Sequence, residues 1–242
     1  MQFSMRTHLG KVRKTNQDYI GLYKNKNDQV LAVLCDGMGG HNAGDVASEM
    51  AATHLGHAWS KNNLLSIEEI KQWMTQEVNV VNKEIHKKSL RFEDFQGMGS
   101  TIVVAVFLET VVLFGNLGDS RGYILTNDQL IQITEDHSYV NELMKKGQIT
   151  MNEAKKHPNR NVITRSLGIA SKVEMDYFSI PYTDFLSVLL CSDGLTNQLS
   201  DETIHSILRK DIDKEEKVDT LLDGALENGG TDNISIVYAE KA

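Results

Sequence analysis

The fold that this chain can adopt is limited first by short apolar runs, which recur along its whole length. Runs rich in Val, Ile and Leu, each of strand length, occupy residues 29–35, 101–108, 111–117, 129–133, 186–191 and 234–239. Two longer segments instead place apolar residues three and four apart, which predicts amphipathic helices over 46–58 and 67–85. Further helices are predicted over 137–147, 150–157, 201–209 and 215–228. Because strands and helices do not alternate regularly, the pattern favours an α+β fold built in layers.

Two local patterns predict how these segments connect. Residues 101–133 have the pattern of an antiparallel meander, with tight turns at 109–110 and 127–128. The Asp-Gly step at residues 223–224 is predicted to interrupt the last helix, because this dipeptide is typical of turns. The glycine-rich stretch GMGGHNAG at 37–44 lacks the GK[ST] ending of a P-loop and predicts a close turn into a helix capped by Asn42 or Asp45.

Charge and apolar run length exclude some classes of partner. The net charge of -8 argues against a nucleic-acid partner, which would require clustered Lys and Arg. The longest apolar runs, such as IVVAVFL at 102–108, fall far short of the roughly 20 residues that span a membrane. With two prolines and no linker-like segment, residues 1–242 are expected to form one domain, cytoplasmic, monomeric and not bound to a membrane.

The two cysteines, Cys35 and Cys191, both lie inside apolar runs just before an aspartate. A metal thiolate or a redox pair is one interpretation. Small buried hydrophobic residues on strands are the interpretation that the context favours, so no chemistry is assigned to either thiol.

Four aspartates occupy one kind of position, at the end of an apolar strand. Asp36 follows VLAVLC, Asp119 follows LFGNLG, Asp193 follows SVLLCS, and Asp232 precedes ISIVY. Carboxylates gathered at the edge of a core repel one another unless they bind protons or a cation, and Mg²⁺ or Mn²⁺ would suit such oxygen ligands. The alternative is that an Asp-Gly step after a strand forms an ordinary turn, and sequence spacing alone does not prove that the four aspartates converge.

Eight motifs that occur in one order give a more specific signal. They are VRKTNQD at 12–18, CDGMGGHNAGDVAS at 35–48, GMGSTIV at 97–103, GNLGDSRGY at 115–123, DHSYVNEL at 136–143, HPNRNVITRSLG at 157–168, LCSDGLT at 190–196 and GGTDNISIV at 229–237. Together they resemble the PPM family, the type 2C metal-dependent serine/threonine protein phosphatases, in its bacterial form. The resemblance implies a four-layer αββα sandwich, two antiparallel sheets flanked by helices, with a small flap subdomain at about 137–168.

The resemblance also implies a set of metal ligands. Asp36 matches the carboxylate that bridges two metal ions, and the carbonyl of Gly37 would bind one of them. Asp193 and Asp232 match terminal ligands. Asp18 matches a ligand that acts partly through water. The implied cofactors are two Mn²⁺ or Mg²⁺ ions, with the choice between them left open.

Further positions carry implied roles or depart from the family pattern. Asp119 matches the residue that holds a weaker third metal together with Asp193, and Arg13 matches the arginine that binds the substrate phosphate. Gln17 stands where many members have Glu, which weakens the argument for a charged residue that orients water. Met38 stands where eukaryotic members often have His, so the group that protonates the leaving alcohol is unassigned. His41 is interpreted as structural.

The implied activity is hydrolysis of phosphoserine and phosphothreonine in proteins by a hydroxide that bridges two metal ions. Phosphoprotein substrates and an opposing bacterial Ser/Thr kinase are the implied partners. Two alternatives remain open: a regulatory module of the same fold that binds a partner, and a metallophosphatase of the same fold that acts mainly on regulatory partner-switching proteins. Basic residues in the predicted flap are hypothesised to guide acidic substrates, unless they form an ordinary solvated face; they are Lys145, Lys146, Lys155, Lys156, Arg160 and Arg165.

Overall fold

The computed structural model describes residues 1–39, 43–63 and 66–241. In these ranges the strands are β1 Gln2–His8, β2 Asp18–Lys24, β3 Val30–Met38, β4 Gly99–Ser100, β5 Ile102–Phe107, β6 Val111–Leu117, β7 Arg121–Leu125, β8 Leu130–Gln132, β9 Asp176–Pro181, β10 Ser187–Cys191 and β11 Ile234–Glu240. The helices are α1 Ala43–Lys61, α2 Ile67–Arg91, α3 Tyr139–Lys145, α4 Met151–Lys156, α5 Asp193–Thr196, α6 Asp201–Leu208 and α7 Lys214–Glu227.

The strands form two antiparallel sheets that pack face to face. The first sheet has the order β2-β3-β5-β6-β9, with β4 paired to β3, and the second has the order β1-β11-β10-β7-β8. Helices α1 and α2 bury their apolar faces against the first sheet. Helices α6 and α7 cover the second sheet, and a third apolar cluster fills the space between the sheets. The α+β class and the four-layer αββα sandwich are therefore confirmed.

Strand β3 shows why the central runs are apolar without interruption. Leu31, Val33 and Cys35 face the helices, whereas Ala32 and Leu34 face the second sheet. Successive side chains of a strand point to opposite faces, so a strand that is covered on both faces needs apolar residues at every position.

Both cysteines are buried and unpaired, as the sequence indicated. Burial raises the pKa of the Cys35 and Cys191 thiols, which removes their nucleophilic character. Among the described residues, no helix has the length and apolar character that crossing a membrane requires.

The predicted meander over 101–133 is wrong in its topology. The two turns form as expected, with Leu108 N–H bonded to Val111 O (3.0 Å) and Thr126 N–H to Gln129 O (2.9 Å). However, β5 and β6 belong to the first sheet, and β7 and β8 belong to the second. The chain crosses between the sheets at 118–120. Apolar strands that are buried on both faces fit either sheet, so their sequence did not reveal this crossing.

Other predictions of local structure also need correction. Strands β1, β2, β4 and β9 and the helix α5 were not predicted, because β4 and α5 are very short and the other strands are largely half-buried or exposed and lack a long apolar run. Helix α7 runs through Gly224 without interruption, since its buried face, which includes Val218 and Leu221, outweighs the cost of about 1 kcal/mol for one glycine. Asp45 lies in the first turn of α1 and not at its N-cap. His41 and the alternative cap Asn42 lie outside the described residues.

Candidate metal centre

Two aspartates meet across the first sheet. Asp18, the first residue of β2, lies directly opposite Asp36 in the antiparallel pairing of β2 with β3. Residues that oppose each other share a face of the sheet. Asp36 continues the alternation of Ala32 and Leu34, which face the second sheet. Both carboxyl groups therefore belong to the space at the end of the two sheets.

The second sheet contributes Ser192 and Asp193 at the end of β10. The Ser192 hydroxyl donates to Asp18 Oδ2 (2.8 Å) and so links the two sheets. Asp193 follows as the first residue of α5, and its Oδ2 accepts a hydrogen bond from Asn197 Nδ2 (2.9 Å). Strand β10 and a short helix therefore fix Asp193 beside the first sheet.

The main chain of Asp36 is held by Thr101. Asp36 N–H donates to Thr101 Oγ1 (3.0 Å), and Thr101 N–H donates to Asp36 O (2.8 Å). Thr101 Oγ1 also bonds to Ser120 Oγ (2.8 Å), which follows Asp119 in the crossing between the sheets. At Gly118, with a φ of +122°, a Cβ atom would lie 2.5 Å from Thr101 Cβ. Thr101 thus positions Asp36 and the loop that carries Asp119.

Arg13 and Asp232 lie at the exposed rim of this site. The Arg13 Nη2 atom donates to Asp232 Oδ2 (2.7 Å). The loop that carries Arg13 is fastened by the buried Asn233 side chain, which accepts from Gln17 N–H (2.8 Å) and donates to Leu9 O (2.8 Å). The hydrogen bond to Asp232 is the main cause that raises the pKa of Arg13, and Asp193 and Asp36 raise it further through their charges.

The carboxyl groups form one electrostatic cluster. Burial is the largest cause that raises the pKa of Asp18 to about 7 and of Asp119 to about 8. It also raises the pKa of Asp36 well above its usual range, with Asp18 and Asp193 as the next causes, and it raises the pKa of Asp193, with Asp232 next. Desolvated carboxylates that repel one another have this signature. The five aspartates that the sequence singled out are thus brought together.

Three of the five carboxyl groups accept a hydrogen bond from another side chain. Asp18 accepts from Ser192, Asp193 accepts from Asn197, and Asp232 accepts from Arg13. In the part of the chain that the structure describes, no three His, Cys, Asp or Glu side chains form a closed set of metal ligands. Negatively charged carboxylates that lie close together repel one another. These carboxyl groups would therefore need a compensating cation in order to form one set of metal ligands.

The residues nevertheless fit a hard divalent cation. Asp18 Oδ1 is buried and has no hydrogen-bond partner, although a carboxylate oxygen in such a place normally has one. All the candidate side chains are carboxylates, which is the chemistry that Mg²⁺ and Mn²⁺ prefer. The donor set is therefore suited to cations of this class.

Two glycines allow the elements of the site to approach closely. A Cβ atom at Gly37 would lie 2.0 Å from the carbonyl oxygen of Gly44, at the start of α1, and one at Gly194 would lie 1.9 Å from the carbonyl oxygen of Asn233. Gly37 N–H also donates to Gln17 O (3.0 Å). Backbone contacts of this kind exclude any larger residue.

Sequence reasoning missed several residues that support the site. Thr101, Ser192 and Asn233 lie within the quoted motifs, but nothing in their residue type marks them. His137 is buried, its Nδ1 accepts Gly118 N–H (3.0 Å), and its Nε2 contacts Asp176 Oδ2 (2.9 Å). The motif DHSYVNEL at 136–143 contained one signal for His137, because it places a histidine beside an aspartate just before a helix.

Comparison with known proteins identifies the family. A sequence model of a protein family, described as protein phosphatase 2C, matches residues 7–227. The chain belongs to the protein phosphatase 2C family. The resemblance noted from the eight motifs is therefore confirmed.

Relatives within the protein phosphatase 2C family cover almost the whole chain. The serine/threonine phosphatase stp of Listeria welshimeri is 43% identical over 242 residues, which are 100% of this chain and 96% of the relative. The crystal structure of Stp1 from Staphylococcus aureus has a TM-score of 0.96 and 36% identity, covering 100% of this chain and 95% of that chain. The catalytic domain of PstP, solved in complex with two manganese ions, has a TM-score of 0.85 and 32% identity, covering 99% and 97%.

Proposed function

We propose that this protein is a metal-dependent phosphatase that hydrolyses phosphoserine and phosphothreonine in proteins, and that the aspartate cluster is its catalytic centre. One observation carries the proposal beyond family membership. Asp18, Asp36, Asp119 and Asp193, which are up to 175 residues apart, share one electrostatic environment at the end of the two sheets. A module that only binds a partner would have no need to keep repelling carboxylates in this place.

The cluster supplies the ligands for two divalent cations, Mn²⁺ or Mg²⁺. In this proposal Asp36 would serve as a ligand of both cations, the Gly37 carbonyl, Asp193 and Asp232 would complete the set, and Asp18 would act directly or through water. When bound, such cations would activate water as the nucleophile and neutralise charge on the phosphate. The unpartnered Asp18 Oδ1 and the wholly carboxylate donor set support this assignment.

Asp119 is the proposed ligand of a weaker third cation together with Asp193. Asp193 is the next cause after burial that raises the pKa of Asp119, so the two carboxyl groups lie within electrostatic reach of each other. Asp119 stands on the crossing between the sheets, whereas Asp36 stands within a central strand. A ligand on a loop is positioned less rigidly, which fits weaker binding.

Arg13 is the proposed binding group for the substrate phosphate. Its side chain is about half exposed, lies at the rim, and bonds to one of the proposed ligands, Asp232. A guanidinium group presents a planar, permanently charged fork that matches phosphate oxygens. Arg13 can therefore exchange Asp232 for a phosphate without crossing the core.

Proton delivery to the leaving alcohol is not assigned to a side chain. The thioether of Met38 cannot donate a proton, and Gln17 contributes its backbone carbonyl to Gly37 N–H and to the Ser48 hydroxyl. We propose that a water molecule at the cluster protonates the alcohol. Phosphoryl transfer needs mainly positioning and charge neutralisation from the protein, so a dedicated acidic side chain is not required.

Substrates of this chemistry must come from a protein kinase that phosphorylates Ser and Thr, and we propose such a kinase as the functional counterpart. The proposed flap at 137–168 contains α3 and α4. Lys145 pairs with Glu135 and Arg165 pairs with Asp176, so two of the six basic residues are neutralised within the protein. Guidance of acidic substrates by the remaining four stays a prediction.

The function is tested by phosphate release from a phosphothreonine peptide. Purified protein is assayed with Mn²⁺, with Mg²⁺, and after treatment with EDTA. We expect release that requires an added cation. Absence of release with every cation would contradict the proposal and would favour the module that binds a partner.

A further inference from the structure

We propose that a groove on helix α2, apolar at its base and edged by basic side chains, docks an acidic segment of the phosphoprotein substrate, outside the phosphorylated residue itself. The groove has a volume of about 520 Å³ and lies between the C-terminal half of α2 and the loop that follows the proposed flap. Its lining residues are Lys83, His86, Lys87, Leu90, Arg91 and Ser171. We call it the α2 groove. The inference rests on the proposed phosphatase function.

Charge is the first argument for this occupant. Lys83, Lys87 and Arg91 are four residues apart and therefore lie along one face of the helix. Among the ion pairs of the described residues, none involves these three side chains, and the whole chain has a net charge of -8. An uncompensated cationic stripe on an acidic protein attracts an acidic ligand locally while the remaining surface repels it.

Helix stabilisation does not account for the stripe. Cations favour the last turn of a helix because of its dipole, and this explains Arg91. Lys83 lies two turns before the end of α2, beyond the range of that effect. Leu90 adds a second unexplained feature, since 76% of its side chain is exposed at the groove. Cations around an exposed apolar side chain suit a peptide with both acidic and apolar residues.

The α2 groove is joined to the catalytic end by a short series of contacts. His86 Nδ1 bonds to Gly168 O (2.8 Å), and Asn82 binds both Gly168 N–H (2.8 Å) and Ala170 O (2.8 Å). The neighbouring Leu167 pairs with Ser100 on β4, whose hydroxyl donates to Asp36 O (3.1 Å).

The loop that forms one wall of the groove is therefore fixed to β4, which pairs with β3 just beyond Asp36. This attachment keeps the groove in a constant position relative to the aspartate cluster. A substrate that occupies both places would be held at two points of one rigid frame.

Charge reversal in the groove tests the proposal. The variant Lys83→Glu/Lys87→Glu is compared with Lys61→Glu/Lys210→Glu, which changes the net charge equally at exposed lysines elsewhere. Substrates are a phosphothreonine peptide with an acidic extension, the same peptide without it, and p-nitrophenyl phosphate. We expect the groove variant to raise KM for the extended peptide roughly fivefold. We expect kcat for the extended peptide to remain unchanged, and also the kinetic constants for the other two substrates. The control variant should behave as wild type with all three substrates.

A binding measurement separates this proposal from the proposed function. Fluorescence anisotropy with the labelled acidic extension, without phosphate, requires no turnover. We expect the groove variant to weaken this binding roughly fivefold at low salt, and high salt to abolish the difference. Equal affinity for the groove and control variants would overturn the proposal, as would tighter binding of a labelled oligonucleotide or of anionic lipid vesicles. Groove binding without any phosphatase activity would support docking and contradict the catalytic assignment.

Discussion

Asp18 and Asp36 lie directly opposite each other in the pairing of β2 with β3, at the point where the first sheet meets the end of the second. Like charges in directly opposed positions destabilise a sheet. Their persistence here, together with the partnerless Asp18 Oδ1, is best explained by a site built for cations. This relationship leads to a prediction about pH.

Stability of the EDTA-treated protein should fall as pH rises. The pKa of Asp18 is raised to about 7 and that of Asp119 to about 8, so the folded state holds protons that the unfolded chain has released. Groups of this kind stabilise the fold at low pH and lose that contribution as pH rises through the folded pKa values. We therefore expect the Tm without metal to fall between pH 6.5 and 8.5.

Mn²⁺ should raise the Tm more at pH 8.5 than at pH 6.5, because protons compete with the cation for the same oxygens. Differential scanning fluorimetry across this range measures both effects. A Tm that is constant with pH, together with a metal-induced shift of equal size at both ends of the range, would contradict the cluster as described.

Arg13→Ala should affect substrate binding more than folding. The contact with Asp232 is exposed, and such ion pairs contribute about 0–1 kcal/mol to stability. Loss of a charged fork for phosphate should raise KM about tenfold and lower kcat less, since a charged hydrogen bond is worth about 1.5–3 kcal/mol. Steady-state kinetics on a phosphothreonine peptide tests this, with Arg13→Lys as a variant that keeps charge without the fork. An unchanged KM in Arg13→Ala would exclude phosphate binding by this residue.

Asp119→Ala should impair turnover while two tight metal sites remain. Asp119 lies on the crossing loop, apart from the proposed ligands on β3 and α5, so its removal should leave those residues in place. We expect kcat to fall roughly 10- to 100-fold, by analogy with the loss of supporting groups at other metal sites. Isothermal titration with Mn²⁺ counts the tight sites, and Asp128→Ala in an exposed turn serves as the control. Loss of a tight site in Asp119→Ala would contradict the assignment.

The stability of the fold should depend on His137 in its neutral form. Its Nδ1 accepts Gly118 N–H, and burial lowers its pKa despite the opposing hydrogen bond with Asp176. Protonation would place two N–H groups against each other. The contribution of His137 to stability should therefore be lost as pH falls below about 6.5, where the unfolded side chain gains its proton.

Matched variants isolate this contact. His137→Asn retains an acceptor near the Nδ1 position, whereas His137→Gln reaches instead towards Asp176. We expect His137→Gln to lose about 1–3 kcal/mol in urea unfolding at pH 7.5, the cost of a buried donor without a partner, and His137→Asn to lose less. The reverse order would show that the contact with Asp176 is the more important one.

The sequence predicted the elements of the site better than their arrangement. Asp36 follows a run that is apolar on both faces, so its strand and its position at the end of the core could be predicted. Its pairing with Asp18 could not, because β2 is mostly half-buried and contains no long apolar run. The hydrogen bond between Ser192 and Asp18 joins residues 174 positions apart and depends on how two sheets stack.

The crossing that carries Asp119 was missed for a related reason. Strands β5, β6 and β7 are buried on both faces and give the same signal in either sheet. His137 and Asn233 act through backbone groups of distant loops, and no local pattern predicts such contacts. The eight ordered motifs nevertheless predicted the family and its fold. The patterns of single segments were not sufficient for that prediction.

The most direct test of a catalytic metal centre at Asp36 is the turnover of Asp36→Asn. Asparagine has nearly the same size as aspartate but lacks the charge needed to hold two cations, so the fold should remain while the chemistry is lost. With saturating Mn²⁺ and a native Tm, we expect kcat/KM for a phosphothreonine peptide to fall by about 10³-fold or more. Turnover at the wild-type rate by folded Asp36→Asn protein would contradict the central claim that this carboxylate holds the catalytic metals.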